Sequence, residues 1–293
     1  STSLENCIRY SNPEEKELSM CFNFHHLKVD YKDGKKWEVM PADLNELKKL
    51  FKTWQEGMQK ANGWNALFWC NHDQPRIVSR MGNETKYWKE SAKMLAALVH
   101  FMQGTPYIYQ GEELGMTNAH FTTIEEYRDV ESLNYYQILL ENGKSEEEAL
   151  HILSERSRDN SRTPMQWSAE KNAGFSQAEP WIKVQKNYKT INTEAEEKET
   201  DSILNFYKKL IQLRKEMPVI ANGTIQFLDE ESEGVIGYVR ELEGTKLVVL
   251  CNLCEEENKA AWQSEWDSYE LLLGNYSDGK VDGTLRPYEC KVL

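Results

Sequence analysis

No stretch of about 18 apolar residues occurs in the chain, so the sequence offers no candidate for a membrane-spanning helix. The opening residues STSLENCIRY have neither the charged start nor the apolar centre of a secretory signal, which makes the cytoplasm the expected location. Positive charge is not in excess either. Lys and Arg number 35 against 48 Asp and Glu, for a net charge of −13, and that balance argues against nucleic acid or an anionic membrane as a partner. An anionic ligand would need a local basic patch. Cysteine is sparse: six residues, Cys7, Cys21, Cys70, Cys251, Cys254 and Cys290, are scattered through mostly apolar runs, the pattern of buried thiols rather than of a disulfide framework. Cys251 and Cys254 spell CxxC but have no second ligand pair, so the spacing gives little support to a metal or redox role.

What the chain does have is apolar and aromatic mass. At 293 residues, 40% apolar and 11% aromatic, it can bury a large core in one or two domains. LSMCFNF (18–24) reads as a strand, residues 41–61 as an amphipathic helix capped by Asp43, and WNALFWC (64–70) as a strand buried on both faces. Residues 84–104 read as helix again and TPYIYQG (105–111) as a third strand. This alternation implies parallel βα units with right-handed crossovers. A long polar insertion follows over about 112–199, with helical stretches at 124–142 and 145–157. A last helix at 200–217 stops at Pro218. Beyond it, short strands separated by turn residues have the spacing of an antiparallel sandwich. Three βα units fall short of a closed eight-stranded barrel, and the chain opens on what reads as a loop, so the expectation is the later part of a larger protein.

The segment FWCNHDQPR (68–76) sets three apolar residues directly before Asn71, His72 and Asp73. In a parallel α/β arrangement that triplet falls at the C-terminal end of its strand, where ligands bind and catalytic groups gather. Glu112 and Glu113 in YQGEELG also lie past a strand end, but adjacent residues point to opposite sides and cannot straddle one bond, which favours a structural role for them. Trp54, Trp64, Trp88 and Met94 sit at core spacing and read as packing.

Three ordered motifs, NHDQPR (71–76), GTPYIYQGEELGM (104–116) and SRDNSRTPMQW (157–167), together resemble the α-amylase family of glycoside hydrolases. Within it they resemble the α-glucosidase branch, which acts on neutral α-1,6-linked oligosaccharides and on phosphorylated trehalose. The likeness covers the whole chain. It implies the C-terminal part of a (β/α)₈ barrel (1–217, carrying the insertion) followed by an antiparallel β-sandwich domain (218–293). It also implies a retaining glycosidase with no organic cofactor or catalytic metal. The nucleophile and acid/base of the family come from earlier strands, so the chain alone is expected to be inactive. Asp73 matches the family's third carboxylate, a catalytic group that holds sugar hydroxyls, with His72 donating to the same sugar. Arg158 matches the arginine that walls off the non-reducing end by pairing with an aspartate from an early strand; Arg162 is the competing choice.

Where neutral-sugar members tend to read Phe-x-Phe-Glu-His, this chain has Phe22-Asn23-Phe24-His25-His26, followed by Lys28, Lys32, Lys35 and Lys36. On an acidic protein that local reversal of sign suits a phosphomonoester. The expected ligand is therefore a small phosphorylated disaccharide, bound by Lys28 first and by Lys35 and Lys36 from a loop tip. The alternatives are a neutral oligo-1,6-glucosidase and a non-catalytic relative that keeps the barrel as a scaffold.

Overall fold

The structure, a computed structural model, describes residues 2–229 and 231–293. It opens with a helix, α1 (Leu4–Ser11), where the sequence reading expected a loop. Ser3 accepts the Asn6 N–H as its N-cap, and Cys7 is buried against Trp54, Met58 and Cys21, so capping and one apolar stripe suffice for a short helix. Then come β1 (Cys21–Phe22), α2 (Leu44–Lys60), β2 (Asn65–Leu67), α3 (Ile77–Met81), α4 (Trp88–His100) and β3 (Thr105–Pro106). Asp43 caps α2 through the Glu46 N–H at 2.8 Å. The strands form one parallel sheet in the order β1-β2-β3, with Cys21 opposite Asn65 and Ala66 opposite Thr105. The paired segments are shorter than the apolar runs that announce them. Gly104 marks a close approach: with φ +142 and the Asn65 carbonyl 2.5 Å from where a Cβ would stand, only glycine fits there.

The insertion carries α5 (Val130–Glu141), α6 (Glu146–Arg156), α7 (Asp159–Arg162) and α8 (Thr193–Lys198). α5 and α6 form a helical hairpin with their own small core, including Tyr136, Leu139, Ala149 and Leu153, on which Trp37 packs. α9 (Ile203–Glu216) is capped by Ser202, and Pro218 opens α10 (Pro218–Asn222) from its first position, where its missing N–H costs nothing. After it come β4 (Thr224–Phe227), β5 (Val235–Leu242), β6 (Thr245–Asn252), β7 (Asn258–Lys259), β8 (Leu273–Gly274), β9 (Thr284–Leu285) and β10 (Cys290–Val292). They make a five-stranded antiparallel sheet in the order β4-β5-β6-β10-β8 and a two-stranded ribbon of β7 and β9.

α4 is apolar nearly all round, and every residue from Ser91 to His100 is buried, the signature of a helix enclosed on all sides. The Trp69 indole donates to its Leu95 carbonyl at 2.8 Å, and the Tyr238 hydroxyl reaches the Leu98 carbonyl at 2.7 Å from the antiparallel sheet. One continuous core therefore runs from Trp69 and Val78 through α4 and α9 to Tyr238, Val249 and Val292. The buried ammonium of Lys93 is met by the Asp201 carboxylate at 2.6 Å and the Asp201 carbonyl at 2.9 Å. On the other side of β1-β2-β3, Phe22, Phe24, Phe68 and Tyr107 form an aromatic cluster with ring centroids 4.8–5.4 Å apart. Phe22, Phe24 and Tyr107 are exposed there.

Candidate active site

The chain turns sharply where β2's apolar run ends. The Asn71 side chain accepts the Asp73 N–H at 2.8 Å, its carbonyl accepts the Gln74 N–H at 3.2 Å, and Pro75 ends the turn ahead of α3. An Asn in this place folds the backbone onto its own amide oxygen. The turn lifts His72 and Asp73 out of the core, and their side chains are 71% and 44% exposed. His72 Nε2 lies 3.4 Å from Asp73 Oδ2.

Asp73 Oδ1 is held by Arg162, whose Nη2 stands 2.7 Å away while its Nε donates to the His72 carbonyl at 2.7 Å. Arg158 stands further off, with Nη1 3.7 Å from the same oxygen. Its main partner is the buried Asp129, whose Oδ1 accepts from Nε at 3.1 Å and Nη2 at 2.7 Å. Arg158 Nε also lies 3.3 Å from Glu131 Oε2, which takes a bond from Lys36 Nζ at 2.8 Å. Positive and negative groups thus alternate from Asp73 outward. Burial pushes the Asp129 carboxyl up, but bonds from Arg158 and Ser132 outweigh it and leave the group below its ordinary value. The same contact with Asp129 raises Arg158.

The local fold accounts for each polar residue of the RDN segment. Arg158 and Arg162 are four residues apart at the two ends of the single-turn α7 and so face the same way. Asp159 Oδ2 accepts the N–H groups of Arg128 at 2.7 Å and Asp129 at 2.9 Å, which fixes Asp129 as the N-cap of α5. Asn160 accepts the Ala119 N–H at 3.0 Å and donates to the Ser154 carbonyl at 2.8 Å.

Asp73, His72, Arg158 and Arg162 are brought together, and Lys36 joins them through Glu131. The lysines otherwise diverge. Lys36 is not at a free loop tip: its ammonium lies over the Trp37 ring at 4.6 Å, and Trp37 stacks on Tyr135 at 4.7 Å. Lys35 is exposed and pairs with Glu38 at 3.0 Å. Lys28 is exposed, and its ammonium has no hydrogen bond or ion pair among the described residues, although its carbonyl accepts the Tyr31 N–H at 3.1 Å. Asp129 and Glu131 were missed by sequence reasoning, although a helix cap at Asp129 is a legible signal. Glu112 is buried, accepts the Tyr207 hydroxyl at 2.9 Å and lies against Cys70 and Arg76; Glu113 accepts the Gly111 N–H at 2.8 Å. The two carboxylates engage separate partners and do not converge on one position. Among the described residues no group of three or more His, Cys, Asp or Glu is placed to hold a metal. No helix among them is long and apolar enough to cross a membrane.

The family model described as alpha amylase, catalytic domain, matches residues 1–223. The chain belongs to the α-amylase family. Over 300 residues it is 49% identical to the trehalose-6-phosphate hydrolase of Bacillus subtilis, covering 100% of this chain and 53% of that protein. The enzyme of the same name from Escherichia coli is 51% identical over 295 residues, covering 99% of this chain and 53% of that one. The oligo-1,6-glucosidase of Bacillus cereus is 45% identical over 290 residues, covering 97% and 52%. Among solved structures, the trehalose-6-phosphate hydrolase of Bacillus licheniformis superposes with a TM-score of 0.96 at 51% identity, covering all of this chain and 54% of that one. This α-amylase family chain therefore spans about half the length of the relatives it matches.

Proposed function

We propose that this chain is the C-terminal portion of a cytoplasmic retaining α-glucosidase that hydrolyses trehalose 6-phosphate to glucose and glucose 6-phosphate. The observation that carries the reading is the set of relatives: those of 49% and 51% identity are named for this substrate, while the oligo-1,6-glucosidases stand at 43–45%. In such a reaction two carboxylates about 5 Å apart act on the anomeric carbon and the leaving oxygen through an oxocarbenium-like transition state. Glu112 is buried on Tyr207 and supplies neither. Asp73 takes the supporting part. One of its oxygens is fixed by Arg162 and half its surface is open, so it accepts sugar hydroxyls whose bonds strengthen as positive charge grows on the ring. His72 donates beside it, and Arg158, braced on Asp129, closes one end.

The phosphate is assigned to Lys28, whose exposed ammonium is unengaged among the described residues and lies nearest the strand end, with Lys35 and Lys36 adding field rather than direct bonds. That Lys35 and Lys36 are already paired with Glu38 and Glu131 is what favours the second reading, a neutral oligo-1,6-glucosidase. Replacing Lys28 by Ala in the intact protein separates the two. A charge-assisted bond contributes roughly 1.5–3 kcal/mol, toward the low end when exposed. kcat/KM for trehalose 6-phosphate should therefore fall about tenfold, with activity on a neutral aryl α-glucoside nearly unchanged. Equal losses on both substrates would give the lead to the neutral reading. The 293-residue chain assayed by itself should not turn over either substrate.

A further inference from the structure

Asp30 lies two residues beyond Lys28 and is 3% exposed. Its carboxylate takes three short bonds from two different helices. Oδ1 accepts from Arg80 Nη2 at 2.6 Å, and Oδ2 accepts from Arg80 Nε at 2.7 Å and Arg156 Nη1 at 2.6 Å. Its backbone carbonyl accepts Arg156 Nη2 at 2.7 Å, so Arg156 grips the residue by side chain and main chain together. Tyr31 fills the space between the guanidinium groups, 5.4 Å from Arg80 and 5.3 Å from Arg156.

The partners matter for where they sit. Arg80 is on α3, directly after the Asp73 turn, and its third nitrogen donates to Gln74 Oε1 at 3.0 Å, next to Asp73. Its Nη2 also donates to the Leu27 carbonyl, next to Lys28. Arg156 is the last residue of α6, two residues before Arg158. One carboxylate therefore joins the segment that bears Lys28, the turn that bears Asp73 and the turn that bears Arg158.

We propose that Asp30 is a positioning residue that holds the lysine-bearing segment (25–43) in register with the Asp73 and Arg158 turns, and thereby sets preference for a phosphorylated over a neutral substrate. The choice of arginine supports this. A guanidinium fork on a carboxylate fixes direction as well as distance, which a lysine or an apolar contact would not do. Both Arg side chains are nearly buried, at 2% and 3% exposure, so water does not loosen the geometry. The carboxyl stays ionised there: burial pushes it up, but Arg80 and Arg156 together bring it below its ordinary value.

The inference rests on the reading of Lys28 as a phosphate ligand, and the experiment keeps the two apart. Asp30→Asn, Arg156→Lys and Lys28→Ala are compared in the intact protein, at a temperature where circular dichroism matches wild type, on trehalose 6-phosphate and a neutral aryl α-glucoside. Asp30→Asn turns an N–H₂ toward a guanidinium, and the ratio of kcat/KM between the substrates should drop about tenfold, through a raised KM for the phosphorylated one. Arg156→Lys keeps the charge but loses the fork, so a smaller drop of the same sign is expected; it decides the matter if the Asn variant does not fold. Equal losses on both substrates in the folded variants overturn the proposal and leave Asp30 a stabilising ion pair. If Lys28→Ala leaves the ratio intact while Asp30→Asn lowers it, Asp30 stands and another group on the segment reads the phosphate. If neither variant moves the ratio, both readings fall.

Discussion

Asp73 is only half exposed; one of its oxygens is held by Arg162, and the other stands 3.4 Å from His72 Nε2 on the open side. This division of labour separates two arginines, of which the sequence pointed to Arg158 with Arg162 as the competing choice. Arg162 touches both His72 and Asp73, whereas Arg158 is committed to Asp129 and Glu131. If Asp73 plays the supporting part proposed for it, Asp73→Asn in the intact protein should lower kcat by orders of magnitude with a modest change in KM, because bonds to sugar hydroxyls from that position would strengthen in the transition state. A rise in KM alone would make Asp73 a plain binding group. Arg162→Gln frees the Asp73 carboxylate to rotate and should lower kcat, while Arg158→Gln should act mainly on KM. The reverse assignment would show that the 3.7 Å contact of Arg158 shortens when substrate is present. His72, Asp73 and Arg158 were legible because each stands in a short motif at the end of an element. The grip of Arg162 on the His72 carbonyl joins positions 90 residues apart, and no local pattern in the sequence announces it.

Elements were legible where their signals are local. α2, α5, α6 and α9 begin at residues whose side chains cap them: Asp43, Asp129, Ser145 and Ser202. The three parallel strands were announced by apolar runs longer than the pairing they make, because the same residues pack beyond the end of the ladder; Phe68, Trp69 and Cys70 are buried past β2. The segment after β3 shows what a burial pattern hides. Gly111, at φ +87, bends the chain so that Glu112 enters the core beside Cys70, Arg76 and Tyr207. Burial raises its carboxyl to about 7, with Glu113 adding to the rise and Tyr207, Cys70 and Arg76 opposing it. The folded state then keeps a proton that the unfolded chain releases near pH 4.5. The stabilisation is fully present below that unfolded value and is lost as pH rises through about 7. Replacement by Gln should remove this dependence, so that wild type loses on the order of 2–3 kcal/mol relative to Glu112→Gln between pH 5 and 8. Thermal melts at those two pH values check it, and parallel curves would mean that Glu112 is ionised throughout. Glu113, raised by its own burial, is present in both proteins and cancels in the comparison.

At the scale of the molecule, the two sheets are not treated alike. The antiparallel sheet lays one face against α4, and most of β5 and β6 is fully buried. The parallel sheet packs its other side on α2 and α4 but leaves Phe22, Phe24 and Tyr107 exposed at 44%, 37% and 43%. Parallel sheets are stable where both faces are covered, and exposed contiguous aromatic surface marks a place where something else packs. The sequence counts three βα units but does not say which side chains line this face; the structure does. The 293-residue chain in isolation is therefore expected to bind a hydrophobic dye such as ANS at that face. Phe22→Asn with Tyr107→Asn should remove most of the dye signal without lowering the melting temperature, because these rings touch mainly one another and Phe68. In a protein that extends the chain upstream, the same pair of substitutions should instead destabilise the fold if the added part covers this face. A dye signal that survives both substitutions would place the sticky surface elsewhere, with the exposed Trp167, Phe175 and Trp181 of the insertion as its next location.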